Sequence, residues 1–121
     1  MAYQSFKELK VWKEAKDLSV IIYKITSNGN FKNDFGLSNQ MRRASLSIAS
    51  NIAEGYERNS SREFIRFLLI SKGSISELRT QLEISKEINY ISQETFDNIE
   101  DKCCKIGSMI TNLIKSRKLK I

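Results

Sequence analysis

No proline occurs in the 121 residues of this chain, and no other feature limits its fold as much. Proline breaks helices from within, because it lacks an amide donor and clashes with the preceding turn. Without it the hydrophobic period is free to run, and here the period is helical. Val11, Ala15, Leu18, Ile22 and Ile25 recur at alternating four- and three-residue steps, a heptad seam. Leu9, Trp12 and Ile21 widen the seam, so this helix should touch more than one neighbour. Ser5 with Glu8 forms a capping-box pattern at its start. Asn28-Gly29-Asn30 ends it, with Gly29 suited to a left-handed cap.

Three further periods follow. The second begins near Leu37 or Ser38 and runs through Met41, Ala44, Ile48 and Ile52. A neighbouring stripe of Leu46, Ala49, Ala53 and Tyr56 runs beside it, with small residues between the two. Phe31 and Phe35, in the connection before it, are expected to fold back over the bundle end. Asn59-Ser60-Ser61 is the next break, and Ser60 with Glu63 repeats the capping box. The third helix is expected from about Ser61 to about Asn89, on Phe64, Leu68, Ser71, Ile75, Leu78, Leu82 and Ser85. Gly73 in its interior is less favourable than alanine by about 1 kcal/mol, which points to a close backbone contact there. Ser92 caps the fourth helix, whose seam is Phe96, Ile99, Cys103, Ile106, Ile110 and Leu113. Four such helices joined by short connections predict an all-α, antiparallel up-and-down four-helix bundle, one domain over residues 1–121.

The chain has no histidine, which removes His-based acid–base and nucleophile sets and the Glu-x-x-His motif of di-iron bundles. Its five glycines are too scattered for a phosphate loop. Cys103 and Cys104 are adjacent and point about 100° apart on a helix, so they read as reduced thiols used in packing. No catalytic residue, cofactor or metal site is assigned, and the expected class is non-enzymatic. No apolar run is long enough to span a membrane, and the opening residues lack a signal-peptide order, so the cytoplasm is the expected compartment.

The net charge of +6 invites a nucleic-acid reading. Lys115, Arg117, Lys118 and Lys120 place most of it in a basic tail over residues 115–121. That tail reads as a solvated end, a phosphate-contacting arm or a weak membrane-surface segment. Five of the chain's seven arginines lie between Gln40 and Phe67. If helices two and three form a hairpin about Asn59-Ser60, residues equidistant from the turn face each other. Arg43 then meets Glu77, and Glu54 meets Arg66, which favours pairing within the fold for both. Arg42, Arg58 and Arg62 lack such partners and remain candidate phosphate contacts, with the tail cations. Asn51 beside Ile48 and Ile52 reads as a polar contact that fixes register. Gly55 and Gly73, among small residues, suit tight packing either within one bundle or between copies. Because helices one and two carry more than one apolar stripe, self-association is expected.

SIASNIAEGYER (Ser47–Arg58), EFIRFL (Glu63–Leu68) and GSISELRTQLE (Gly73–Glu83), with FKELKVWKEAKDL (Phe6–Leu18) and QMRRAS (Gln40–Ser45), resemble the small bacterial four-helix-bundle proteins of the 23S rRNA intervening-sequence type. One departure is Ala49, where that family commonly has proline; alanine should leave the second helix straighter. The resemblance implies a ring-like homopentamer with no agreed catalytic residues. It also implies RNA or DNA as a partner, because members can be encoded within rRNA genes and a distant fold relative, the accessory protein of diversity-generating retroelements, binds nucleic acid and a reverse transcriptase. An unidentified protein partner, with no direct nucleic-acid role, is the alternative.

Overall fold

Three polar side chains decide where the long helices begin. The computed structural model describes residues 5–121, and in it α1 spans Lys10–Thr26, α2 Phe35–Glu57, α3 Ser61–Glu87 and α4 Gln93–Lys118. Asp34, Ser60 and Ser92 cap α2, α3 and α4, each side chain accepting an orphan amide of the first turn. α1 starts differently. Ser5 caps only a short 3-10 turn, Phe6–Glu8, and α1 then begins after Leu9 with no side-chain cap. The break lets Phe6 fold edge-on against Trp12, with ring centroids 5.2 Å apart. Asn59 and Asn89, both at positive φ, reverse the chain after α2 and α3, a conformation asparagine tolerates better than most residues. Gly29, at φ +59°, does the same after α1.

The four seams meet in one core. All seven α3 positions named above are buried, as are Phe96, Ile99, Cys103, Ile106 and Ile110 of α4. Each buried Ile, Leu or Phe contributes roughly 1.5–3 kcal/mol. At the helix ends the seam slips by one residue. Thr26 is buried in place of Ile25, with its hydroxyl donating 2.7 Å to the Ile22 carbonyl, and Ile114 is buried in place of Leu113. Phe31 closes the bundle end against Tyr90, centroids 5.0 Å apart. Phe35 does not join it; it is 72% exposed, because helix α2 has already begun there and turns it outward.

Cross-helix bonds set the direction of each pair. Ser19 bonds Ser45, and Arg42 reaches Thr26, so α1 and α2 run antiparallel. The Ser71 hydroxyl donates 2.9 Å to the Ile48 carbonyl, and Ser74 bonds Ser47 at 2.9 Å. Both pairs are centred on the Asn59-Ser60 turn, so α2 and α3 form the expected hairpin in the expected register. Asn51 extends this link by donating to the Ser47 carbonyl and hydroxyl, at 2.8 and 2.9 Å. In the α3–α4 pair Arg79 bonds Glu100, and Lys86 lies over the Phe96 ring. α1 packs on α2 and α4 but not on α3, which lies across the bundle.

At Gly55 α2 and α3 come close. A Cβ built on it would lie 2.6 Å from the Phe67 Cβ, a separation no side chain could accept. Gly73 is the opposite. It is exposed and a Cβ there would meet nothing within 4 Å, so the expected close contact is absent within the subunit. Cys103 is fully buried, as expected of a packing thiol, but Cys104 faces solvent.

Candidate nucleic-acid interface

The arginines of the α2–α3 hairpin divide by partner. Arg42 donates through Nε to the Thr26 hydroxyl at 2.8 Å and through a terminal nitrogen to Ser27 at 3.0 Å. Its guanidinium also lies 4.8 Å from the Tyr23 ring centroid. Arg42 therefore locks the end of α1 to α2, which corrects its expected freedom; Thr26 and Ser27 are its partners. Arg58 is corrected likewise. It donates to Glu54 at 3.1 Å, one helical turn back, and lies 5.1 Å from the Phe67 ring.

Arg66 is paired, though with a nearer carboxylate than the hairpin register implied. It makes a bidentate bond to Glu63 on its own helix, at 3.3 and 3.0 Å, and also lies over the Phe67 ring, 4.5 Å from its centroid. That bond holds Glu63 below its ordinary carboxyl range and raises Arg66, with Glu54 adding a smaller attraction across the hairpin. Arg43 and Glu77 are both exposed and, among the described residues, do not form the expected ion pair. Arg62 is also exposed and carries no ion pair among them.

The basic tail is largely the last turn of α4, since that helix continues to Lys118. Lys115, Arg117 and Lys118 sit where cations complement the negative end of the helix dipole. Arg117 is half-buried and stacks 4.9 Å over the Phe64 ring, so it packs against the core. Lys115, Lys118 and Lys120 are exposed. Asp101 is the last acid of the chain, and six cations follow it. One of them, Lys105, pairs with Glu14 at 3.5 Å.

Among the described residues, concave surfaces flank this framework. Between α1 and α2 an apolar groove of about 1000 Å³ is lined by Trp12, Val20, Tyr23, Leu46, Ala49 and Ala53, among others. It is the second stripe of α2, through Leu46, Ala49 and Ala53, facing Trp12 and two apolar residues outside the α1 seam, Val20 and Tyr23. Between α3 and α4 lies a smaller cleft of about 530 Å³, of mixed polar and apolar lining. Lys72 and Arg79 line one wall; Ser108, Thr111 and Asn112 line the other. Sequence reading missed this cleft, because its cations and hydroxyls lie on two helices and join only when the α3–α4 register is known. Its one signal in the sequence is the acid-free stretch after Asp101.

A family model described as the 23S rRNA-intervening sequence protein matches residues 7–112. The chain belongs to that family. It is similar to a crystal structure from Bacteroides thetaiotaomicron, described as a protein with unknown function from the S23 ribosomal protein family. The two share 28% identity, with a TM-score of 0.79, over 87% of this chain and 98% of that one. No curated protein matches the chain. Among the described residues, no three His, Cys, Asp or Glu side chains group as metal ligands would, and no helix is long and apolar enough to cross a membrane.

Proposed function

We propose that this intervening-sequence family protein is a non-enzymatic, cytoplasmic homo-oligomer, a ring of five copies, that binds RNA or another nucleic acid through its basic surface. The observation that carries the nucleic-acid reading is charge segregation. Beyond Asp101 the chain holds only cations among its charged residues, and on the described surface Lys115, Lys118 and Lys120 are exposed at one end of α4. Phosphate contacts of this kind position a nucleic acid without reading its sequence. The assembly reading rests on the α1–α2 groove and on a ridge of exposed apolar side chains along α3, Leu69, Ile70 and Ile84, with Ile88 at its C-cap. Groove and ridge are different surfaces, so a copy-to-copy contact that joins them is head-to-tail, the kind that closes into a ring.

Titration of a structured RNA at several salt concentrations tests the nucleic-acid half. Affinity should fall steeply with salt and weaken when residues 115–121 are removed. Absence of binding near physiological salt, or binding indifferent to the tail and to Arg62, would refute it. The groove also favours a second reading, a scaffold that docks a protein partner. That reading expects a co-purifying protein that survives nuclease treatment while the groove stays free of a second copy.

A further inference from the structure

Resting on the nucleic-acid reading above, we propose that the α3–α4 cleft is the seat of the phosphodiester backbone. Four observations converge on it. The first is its lining: Lys72 and Arg79 supply two cations, the nearest carboxylate is Glu100, which is paired to Arg79, and no aromatic ring lines the cleft. They stand two turns apart on α3, about 10 Å along the axis, so each can meet a different phosphate.

The second is the state of Arg79. Glu100 takes its Nε and also accepts from Cys104, which fixes the guanidinium at one end of the cleft. The two terminal nitrogens carry no hydrogen bond among the described residues, so the fork keeps donors for an incoming oxyanion. The third is the opposite wall. The α4 side chains of Ser108, Thr111 and Asn112 make no hydrogen bond among the described residues, nor does Ser76 beside the cations on α3, and Gly107 leaves space on the α4 side, with nothing within 4 Å of a Cβ placed there. Unengaged hydroxyl and amide donors between two cations match the short, dense acceptors of a phosphate chain.

The fourth is continuity. Lys115 and Lys118 fall on the same face of α4 as Ser108 and Thr111, one and two turns further on, so the cleft opens onto the exposed end of the basic helix. A strand in the cleft would run along this line from Arg79 towards the α4 terminus. Lack of aromatic rings means no base is stacked there. Recognition is by backbone alone, and homopolymers of different bases should bind alike.

The test uses fluorescence anisotropy with labelled 15-nucleotide oligouridylate and oligoadenylate, as RNA and as DNA, at three salt concentrations. Lys72→Glu and Ser108→Asp change exposed positions and should leave the helical circular dichroism intact. Each should weaken binding about tenfold, and Lys72→Glu should lower the salt slope by about one. Lys13→Glu, the same charge change on the outer face of α1, should weaken it less than about threefold, as expected for loss of general attraction. If the unaltered protein binds and the cleft variants match the Lys13 variant, the cleft assignment is overturned and the broader reading stands. If the unaltered protein binds no oligonucleotide at low salt, the cleft assignment falls, and the structured-RNA titration alone decides the broader reading. A clear preference between the two bases would overturn backbone-only recognition.

Discussion

Replacing Gly55 by alanine should destabilise this protein, although alanine is the better helix former. In an open helical position the change gains about 1 kcal/mol. At Gly55 the new methyl would sit 2.6 Å from the Phe67 Cβ and 3.1 Å from the Phe64 Cδ1, whereas ordinary carbon contacts lie near 3.5–4.0 Å. The Phe67 Cβ is fixed to the α3 backbone and cannot rotate away, so α2 and α3 must part by about 1 Å. That strain belongs at the upper end of overpacking effects, about 3 kcal/mol. Less the propensity gain, the net loss is about 2 kcal/mol, or about 8 °C in Tm for a chain of this size. Urea unfolding at one fixed protein concentration measures it, since any assembly makes stability depend on concentration. Gly107→Ala is the matched control: nothing lies within 4 Å of its Cβ, so it should gain about 1 kcal/mol. Equal effects at the two glycines, or a Gly55→Ala protein at least as stable as the parent, would refute the close-approach account.

Three further outcomes follow from the geometry. A thiol reagent at pH 8 should modify Cys104 quickly and leave Cys103 untouched until the protein unfolds, a difference mass spectrometry resolves. Burial pushes the Cys103 thiol up to about 12, whereas an unfolded thiol ionises near 8.5. The unfolded chain therefore loses this proton first, and the Cys103 contribution is intact below about 8.5 and lost as pH rises towards about 12; Cys103→Ala should flatten that part of the stability curve. Leu46→Lys, at a groove position 45% exposed in the subunit, should leave the helical signal unchanged and reduce the mass seen by light scattering towards that of one 14.0 kDa chain. An unchanged mass would show that the groove is not where copies meet.

How far the sequence could be read depended on the kind of information each feature carries. The seams were legible because period is local: Phe64 to Ser85 repeats within a single helix, and capping serines lie next to the turns they open. The hairpin register was legible for the same reason, since a short turn at Asn59-Ser60 leaves one way for α2 and α3 to face each other. Partner choice was not. Arg42 found hydroxyls on α1, and Arg66 found a carboxylate three residues back, closer than the one across the hairpin. Two glycines in similar helical surroundings also had opposite roles. Gly55 faces Phe67 and Gly73 faces solvent, a difference set by rotation about the helix axis. The α3–α4 cleft was the least legible, because Lys72 and Ser108 are far apart in sequence and adjacent only in the folded bundle.

The central claim is a ring of copies that carries nucleic acid on its basic faces, and one measurement addresses both parts. Size-exclusion chromatography with light scattering, refractive index and ultraviolet detection gives the protein and RNA masses of a complex separately. Run at physiological salt with a short structured RNA, it should show a species containing five chains of 14.0 kDa together with RNA. A protein peak at the mass of one chain, eluting apart from the RNA, would contradict the account.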